Sequence, residues 1–232
     1  QKEADLNQVI SEADTLNTPL KTIWQQGKPV AVILNTAAVE SVDLLILGAL
    51  QKENLLKYYV GSIARKITRK VGCSILLLIK PSIERQACKH IVVNGLKDKN
   101  TAETIRTSVL FCSHLLCKKM TIVEEISQSE LQVQVNDDKS LRRATIAKER
   151  LKNREDQRIN TLLKGIPCDD IAIKTQSIFG RRGYSIGHYA KVKRADLLVM
   201  NAPLKLGLLD RIFPHDIEYI LSELPTDVLI VK

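Results

Sequence analysis

Aromatic side chains make up only 4% of this 232-residue chain, with a single Trp and three Phe. So few rings leave little with which to build the stacking platforms that hold single-stranded nucleic acid. Long apolar runs are also missing. The best stretches, Val42–Leu50 and Ile75–Ile79, fall far short of the ~20 residues a membrane-spanning helix needs. No signal peptide opens the chain. Its five cysteines include no CxxC pair, and Cys112 and Cys117 are awkwardly spaced for a metal site on a helix. The four histidines are scattered, with no HExxH. A metal centre is therefore not expected, and a reduced, cytoplasmic protein is the simplest reading. A Walker A lysine loop, a GxSxG elbow and the protein-kinase motifs are all absent, so no enzyme class has its constellation here.

The sequence does contain the material of an ordinary globular core: 44% hydrophobic and 26% charged residues. A core of this size needs no disulfide staples. The net charge of +9 invites a polyanion reading. Residues 139–164 hold nine Lys/Arg against three Asp/Glu. At ~100° per residue these cations spread around a helix instead of forming one stripe, and Leu141, Ile146, Leu151, Ile159 and Leu162 are expected to form its buried side. That describes a solvated helix with weak, salt-sensitive affinity for polyanions, and nucleic acid is not an expected partner.

Apolar runs alternate with amphipathic stretches. Strands are expected at Asp43–Gly48, Ser74–Ile79, Lys89–Asn94, Met120–Ile126, Ile171–Thr175, Asp196–Met200 and Asp227–Val231. Their continuous apolar character implies burial on both faces, as in a parallel sheet. Helices are expected at Glu53–Lys70, Thr101–Lys118, Lys139–Lys164 and Tyr184–Arg194. The alternation indicates βαβ units. The strongest signal is internal: a shift of 153 positions aligns residues 20–79 with residues 173–232 without a gap. Lys21-Thr22 falls on Lys174-Thr175, Gly27 on Gly180, Ile33 on Ile186, Ala37 on Ala190, and Asp43-Leu44-Leu45 on Asp196-Leu197-Leu198. Such a register marks a repeat. The second copy starts near Lys89, whereas the first has only Gln1–Pro19 ahead of the shared part. The opening strand–helix–strand of the first copy is expected to lie before residue 1, and the Gln1 start fits a piece of something longer.

Two stretches carry a resemblance to the universal stress protein family. One is Gly27-x-Pro29-x-x-x-Ile33-x-x-x-Ala37 leading into Asp43–Gly48; the other runs from Gly48 through Gly61-Ser62 to the closing strand Cys73–Ile79. The resemblance implies an α/β fold of tandem universal-stress-type (adenine nucleotide alpha hydrolase-like) parallel sheets, in strand order 3-2-1-4-5 and flanked by helices. It also implies a division into a partial repeat at 1–81, a linker at 82–88 and a complete repeat at 89–232. Some members of the family bind ATP through a loop reading Gly, two residues, Gly, nine residues, Gly, Ser/Thr. Gly48, Gly61 and Ser62 match that loop, while Gln51 stands where its middle glycine would be. These three are the candidate cofactor-binding residues, with the alternative that Gly48 simply ends a strand and Gly61-Ser62 lies within the following helix. In the second copy Asn94 stands at the family's Asp, and Asn201, Leu204, Pro214 and His215 replace the loop's glycines and hydroxyl. Charge, space and a backbone donor are lost. No cofactor is expected, ATP or AMP being the group the family would allow.

The remaining motifs read as structure. Ser185-Ile-Gly-His188 is a helix start after Gly183, and Asp137-Asp138 is a turn into a helix at Ser140. Glu124 and Glu125, adjacent on a strand, face opposite ways and cannot form one acid–base site. The resulting expectation is a non-catalytic regulatory or scaffolding module, cytoplasmic and tethered to the membrane as the tail of a transporter such as a cation/proton antiporter. The alternatives are a free-standing ATP-binding stress protein and a weak ATPase. The closing strands Ser74–Ile79 and Asp227–Val231 are expected to pair, giving a pseudo-dimer within the chain or its equivalent in a homodimer.

Overall fold

The computed structural model describes residues 10–11, 19–51, 57–81, 86–127, 130, 136–202 and 215–232. In chain order the elements are α1 (Pro29–Val39), β1 (Leu44–Gly48), β2 (Leu50–Gln51), β3 (Tyr58–Tyr59), α2 (Ser62–Lys70), β4 (Ser74–Leu78) and β5 (Ile91–Asn94). They continue with α3 (Thr101–His114), β6 (Lys119–Ile126), α4 (Asp138–Leu163), β7 (Ala172–Phe179), α5 (Tyr184–Val192), β8 (Leu197–Asn201), α6 (His215–Ser222) and β9 (Asp227–Val231). Pro29 opens α1 at a position where a missing N–H costs nothing. Asp137 caps α4: its carboxylate accepts from Ser140 N–H at 2.7 Å, and Ser140 Oγ accepts from Asp137 N–H at 3.0 Å.

Seven strands form one sheet in the order β1-β4-β9-β8-β5-β6-β7. Strands β5 to β9 are parallel to one another in the 3-2-1-4-5 order. Continuous apolar strands need cover on both faces, and helices supply it. One face packs Ile75, Leu77, Leu198, Met200, Val228 and Ile230 with residues of α1, α2, α5 and α6. The other packs Ile91, Val93, Val199, Leu229 and Val231 beneath α3 and α4.

The join between the two parts of the sheet is antiparallel, through β4 and β9, with Ile75 opposite Ile230, Leu76 opposite Leu229 and Leu77 opposite Val228. A pseudo-two-fold axis passes between Leu76 and Leu229. Leu44 opposite Ser74 in the β1–β4 pair corresponds to Leu197 opposite Asp227 in the β8–β9 pair. Side-chain bonds obey the same axis: Ile79 N–H donates to Asp227 Oδ1 at 2.8 Å, and Lys232 N–H donates to Ser74 Oγ at 3.2 Å. Arg65, on α2, pairs with its own counterpart Glu218 on α6.

Residues 20–24, which the shift of 153 aligns with the strand expected at Ile171–Thr175, form no strand and lie as an exposed segment held by the Lys21–Glu40 ion pair. Their counterpart is β7, which pairs with β6. Among the described residues nothing in the first half corresponds to β6, so a would-be strand has no neighbour to accept its hydrogen bonds. The helix expected over Glu53–Lys70 starts only at Ser62, behind the short antiparallel β2–β3 pair. On α4 the buried side is Ala144, Glu155 and Ile159, while Leu141 and Ile146 are 53% and 49% exposed. Helical periodicity alone cannot show where cover ends. All five cysteines are free thiols. Burial pushes the thiols of Cys88 and Cys112 up, away from the reactive thiolate form. No helix among the described residues is long and apolar enough to cross a membrane.

Candidate functional site

In a parallel sheet the ligand crevice opens where neighbouring strands lead to helices on opposite faces, outside their carboxyl ends. Here that point lies between β5 and β8. The two strands end in Asn94 and Asn201, both buried. Asn94 Oδ1 accepts from Leu96 N–H at 3.0 Å, a local turn that spends the side chain on its own backbone. Asn201 Nδ2 donates to Thr101 Oγ1 at 3.0 Å, and Thr101 Oγ1 in turn donates to Leu96 O. The crevice floor is thus tied to the start of α3. Asn201 Oδ1 has no partner among the described residues.

Charge closes the crevice from the β6 side. Arg158 of α4 donates to Gly95 O and, at 2.7 Å, to Glu124 Oε2, while its Nε donates to Glu155 Oε2 at 2.6 Å. A β-carbon on Gly95 would come within 2.9 Å of Ile122 Cγ2, so only glycine lets these elements meet. One guanidinium serves two buried carboxylates, and desolvation outweighs its pull on Glu124, whose carboxyl is raised from 4.5 to about 7. Glu155, bonded by both Arg158 and Arg154, is held below the usual carboxylate range although burial opposes this. Glu125 points to the other face, where its carboxylate accepts from Gly183 N–H at 2.9 Å and Ile186 N–H at 2.8 Å. An internal anion therefore already occupies the start of α5, where an external one could have bound. As expected, the neighbouring glutamates share no site.

In the first half, Gly48 is the last residue of β1 and Gly61 is the N-cap of α2, with Ser62 its first, exposed residue. Gly61-Ser62 thus stands at a helix start and not within a helix. The close approach that Gly61 permits is taken by protein: a β-carbon there would lie 2.8 Å from Leu50 Cδ1. Gln51, two residues from Ala49, continues into the β2–β3 pair, which docks on the second half through Leu224 N–H donating to Tyr58 O at 2.9 Å. Leu204 and Pro214 lie outside the described residues. Arg158 and Thr101, which bond across the crevice, had no signal in the sequence, because their partners are 63 and 100 positions away.

Residues 3–78 match the model of the universal stress protein family. The fold is that of the universal stress proteins. A protein of unknown function from Pseudomonas aeruginosa PAO1 superposes with a TM-score of 0.71 at 16% identity, over 100% of this chain and 78% of that one. A putative universal stress protein from Pseudomonas aeruginosa UCBPP-PA14 gives 0.72 at 16% identity, over 100% and 78%. A universal stress protein from Archaeoglobus fulgidus DSM 4304 gives 0.69 at 12% identity, over 99% and 75%. No curated protein sequence matches the chain. At the crevice between β5 and β8, Asn94, Asn201, Thr101 and Arg158 bond to the chain itself, and at the start of α2 the Leu50 side chain lies against Gly61.

Proposed function

We propose that this chain is a non-catalytic regulatory or scaffolding module built from two tandem universal-stress-type copies, the first of them partial, with nucleotide sites that no longer take their ligand. The observation carrying this reading is the crevice between β5 and β8, where the chain's own Asn201–Thr101 bond and the Arg158 bridge to Gly95 O stand in place of a bound molecule. The tandem arrangement is supported by the equivalent registers of the β1–β4 and β8–β9 pairs. The β4–β9 pairing serves as the dimer contact, made inside one chain. The proposal includes a place as the cytoplasmic regulatory region of a membrane transporter such as a cation/proton antiporter, with tethering through a segment outside residues 1–232. A coding sequence ahead of Gln1 containing apolar runs of ~20 residues would support that part, and a start codon with no such run would overturn it.

Calorimetry with ATP tests the ligand part. No saturable binding is expected below on the order of 1 mM, and no ATP turnover. The alternative, a free-standing ATP-binding protein, has in its favour the exposed Ser62 at the start of α2. A micromolar constant abolished by Ser62→Ala would establish it, and one abolished by Asn94→Ala would restore the second copy's site.

A further inference from the structure

We propose that the groove between α5 and α6, to which the first half contributes Lys57, is a binding site for a small aromatic acid: a planar ring body carrying one anionic group. The groove includes none of Asn94, Thr101, Arg158 and Asn201, so it is separate from the crevice between β5 and β8. The inference goes beyond the regulatory reading by supplying that reading with a ligand other than nucleotide.

The groove has a volume of about 450 Å³, within the range that small-molecule sites occupy. Its floor lies where the two helices meet: Gly187 of α5 has no β-carbon, and one there would lie 2.8 Å from Ile220 Cδ1 of α6. Rings line it on both sides. Tyr184 and His188 are parallel to within 3°, with centroids 6.4 Å apart, and the Tyr219 ring is held by the Arg181 guanidinium at 4.6 Å. Tyr184 is 62% exposed, a large ring left in water that a planar guest would cover. Ammonium groups come from both halves of the chain. Lys57 Nζ donates to Glu223 Oε2 at 2.8 Å, and Lys191 Nζ donates to Glu223 Oε1 at 3.4 Å. The Lys57 bond holds the Glu223 carboxyl below the usual carboxylate range, so it stays ionised. One carboxylate between two ammonium groups leaves one positive charge unmatched, and each ammonium keeps donors to spare.

These groups are not part of what the two halves share. The shift of 153 positions puts Ala31, Leu34, Asn35 and Ala38 opposite Tyr184, Gly187, His188 and Lys191, and puts Lys66 and Lys70 opposite Tyr219 and Glu223. Leu34 stands where Gly187 opens the floor, and every ring is gone. The site is thus a property of the second half and its junction with the first, and not of the repeated fold. The charge count also sets the class of guest. A nucleoside triphosphate would bring several negative charges to a wall with one unmatched cation, and a neutral ring would leave that cation unanswered. An aromatic monoacid satisfies both the rings and the charge.

The test is a titration of the full chain followed by amide NMR, with benzoate as the smallest probe of the class. Shifts at Gly187, His188 and Lys191 should saturate with a Kd on the order of 1 mM. Benzamide, the same ring without the charge, should bind about tenfold more weakly. Benzoate should lose about the same factor on Lys191→Gln and on Lys57→Gln, each of which removes a charge-assisted bond. Tyr184→Ala should weaken benzoate by roughly threefold. The amides of Leu198–Met200 report in every variant whether the fold is kept; where it is not, the comparison of benzoate with benzamide decides, since it needs no variant. The proposal is overturned by any of four results: no saturable shift up to about 20 mM, benzamide bound as tightly as benzoate, shifts confined to Leu76 and Phe111 on the other face of the sheet, or a folded Lys191→Gln chain that binds like its parent. ATP that shifts Ser62 or Asn94 would sink the ligand part of the proposed function and leave this site standing.

Discussion

Leu76 and Leu229 face each other across the antiparallel join and are related by the pseudo-two-fold axis, yet their surroundings differ. Leu229 is fully buried, while Leu76 is half-buried. Truncating each to Ala removes the same atoms, worth about 2.4 kcal/mol if wholly withdrawn from water at ~0.8 kcal/mol per methylene. At Leu229 the cavity left beneath α3 adds to this, for a total of about 3–4 kcal/mol. At Leu76 roughly half the transfer energy is at stake, and solvent fills the gap, so the loss is about 1 kcal/mol. For a chain of this length those losses correspond to Tm drops of roughly 6–16 °C and 2–4 °C. Urea unfolding, with slopes compared to confirm one transition, measures both. Equal losses at the two positions would refute the reasoning, because they would mean that the face over β4 is as well covered as the face over β9.

Glu124 gives a pH prediction. Its folded-state carboxyl, raised from 4.5 to about 7, holds a proton more tightly than in the unfolded chain. Its contribution to stability is therefore present at low pH and is lost as pH rises between those values. Glu124→Gln should flatten the fall in Tm over that interval, and an unchanged slope would assign the dependence elsewhere. Glu125→Ala removes the carboxylate that accepts from Gly183 and Ile186 N–H. It should cost about 2 kcal/mol, with faster hydrogen exchange at both amides; protection left intact would show that another group caps α5. Arg65→Ala and Glu218→Ala, combined in a double-mutant cycle, should couple by about 0.5–1 kcal/mol, given a partly buried pair. A coupling of zero would mean that the contact between the two counterpart helices is carried by packing alone.

The strand–helix alternation, the shift of 153 positions and the apolar closing strands are properties of residue order, and all could be read before any coordinates. The period of apolar residues specifies what must be buried, and the seven sheet strands fall close to where it places them. The pairing of β4 with β9 was also legible, because two apolar edges without proline or inward charge have few other ways to be satisfied. Gly48, Gly61 and Ser62 could be found by motif, but whether their backbone is open to a ligand could not. That depends on Leu50, which reaches Gly61 only once the β2–β3 pair has formed. Likewise Asn94 read as a lost charge and Asn201 as a lost glycine in sequence, while tertiary structure decided what bonds there: Thr101 and Arg158, brought to the crevice by helices α3 and α4. Local sequence carries propensity and pattern. Cover, whether of Leu141, of Leu76 or of a phosphate-sized space, is set by elements distant along the chain, and so only the packed fold determined it.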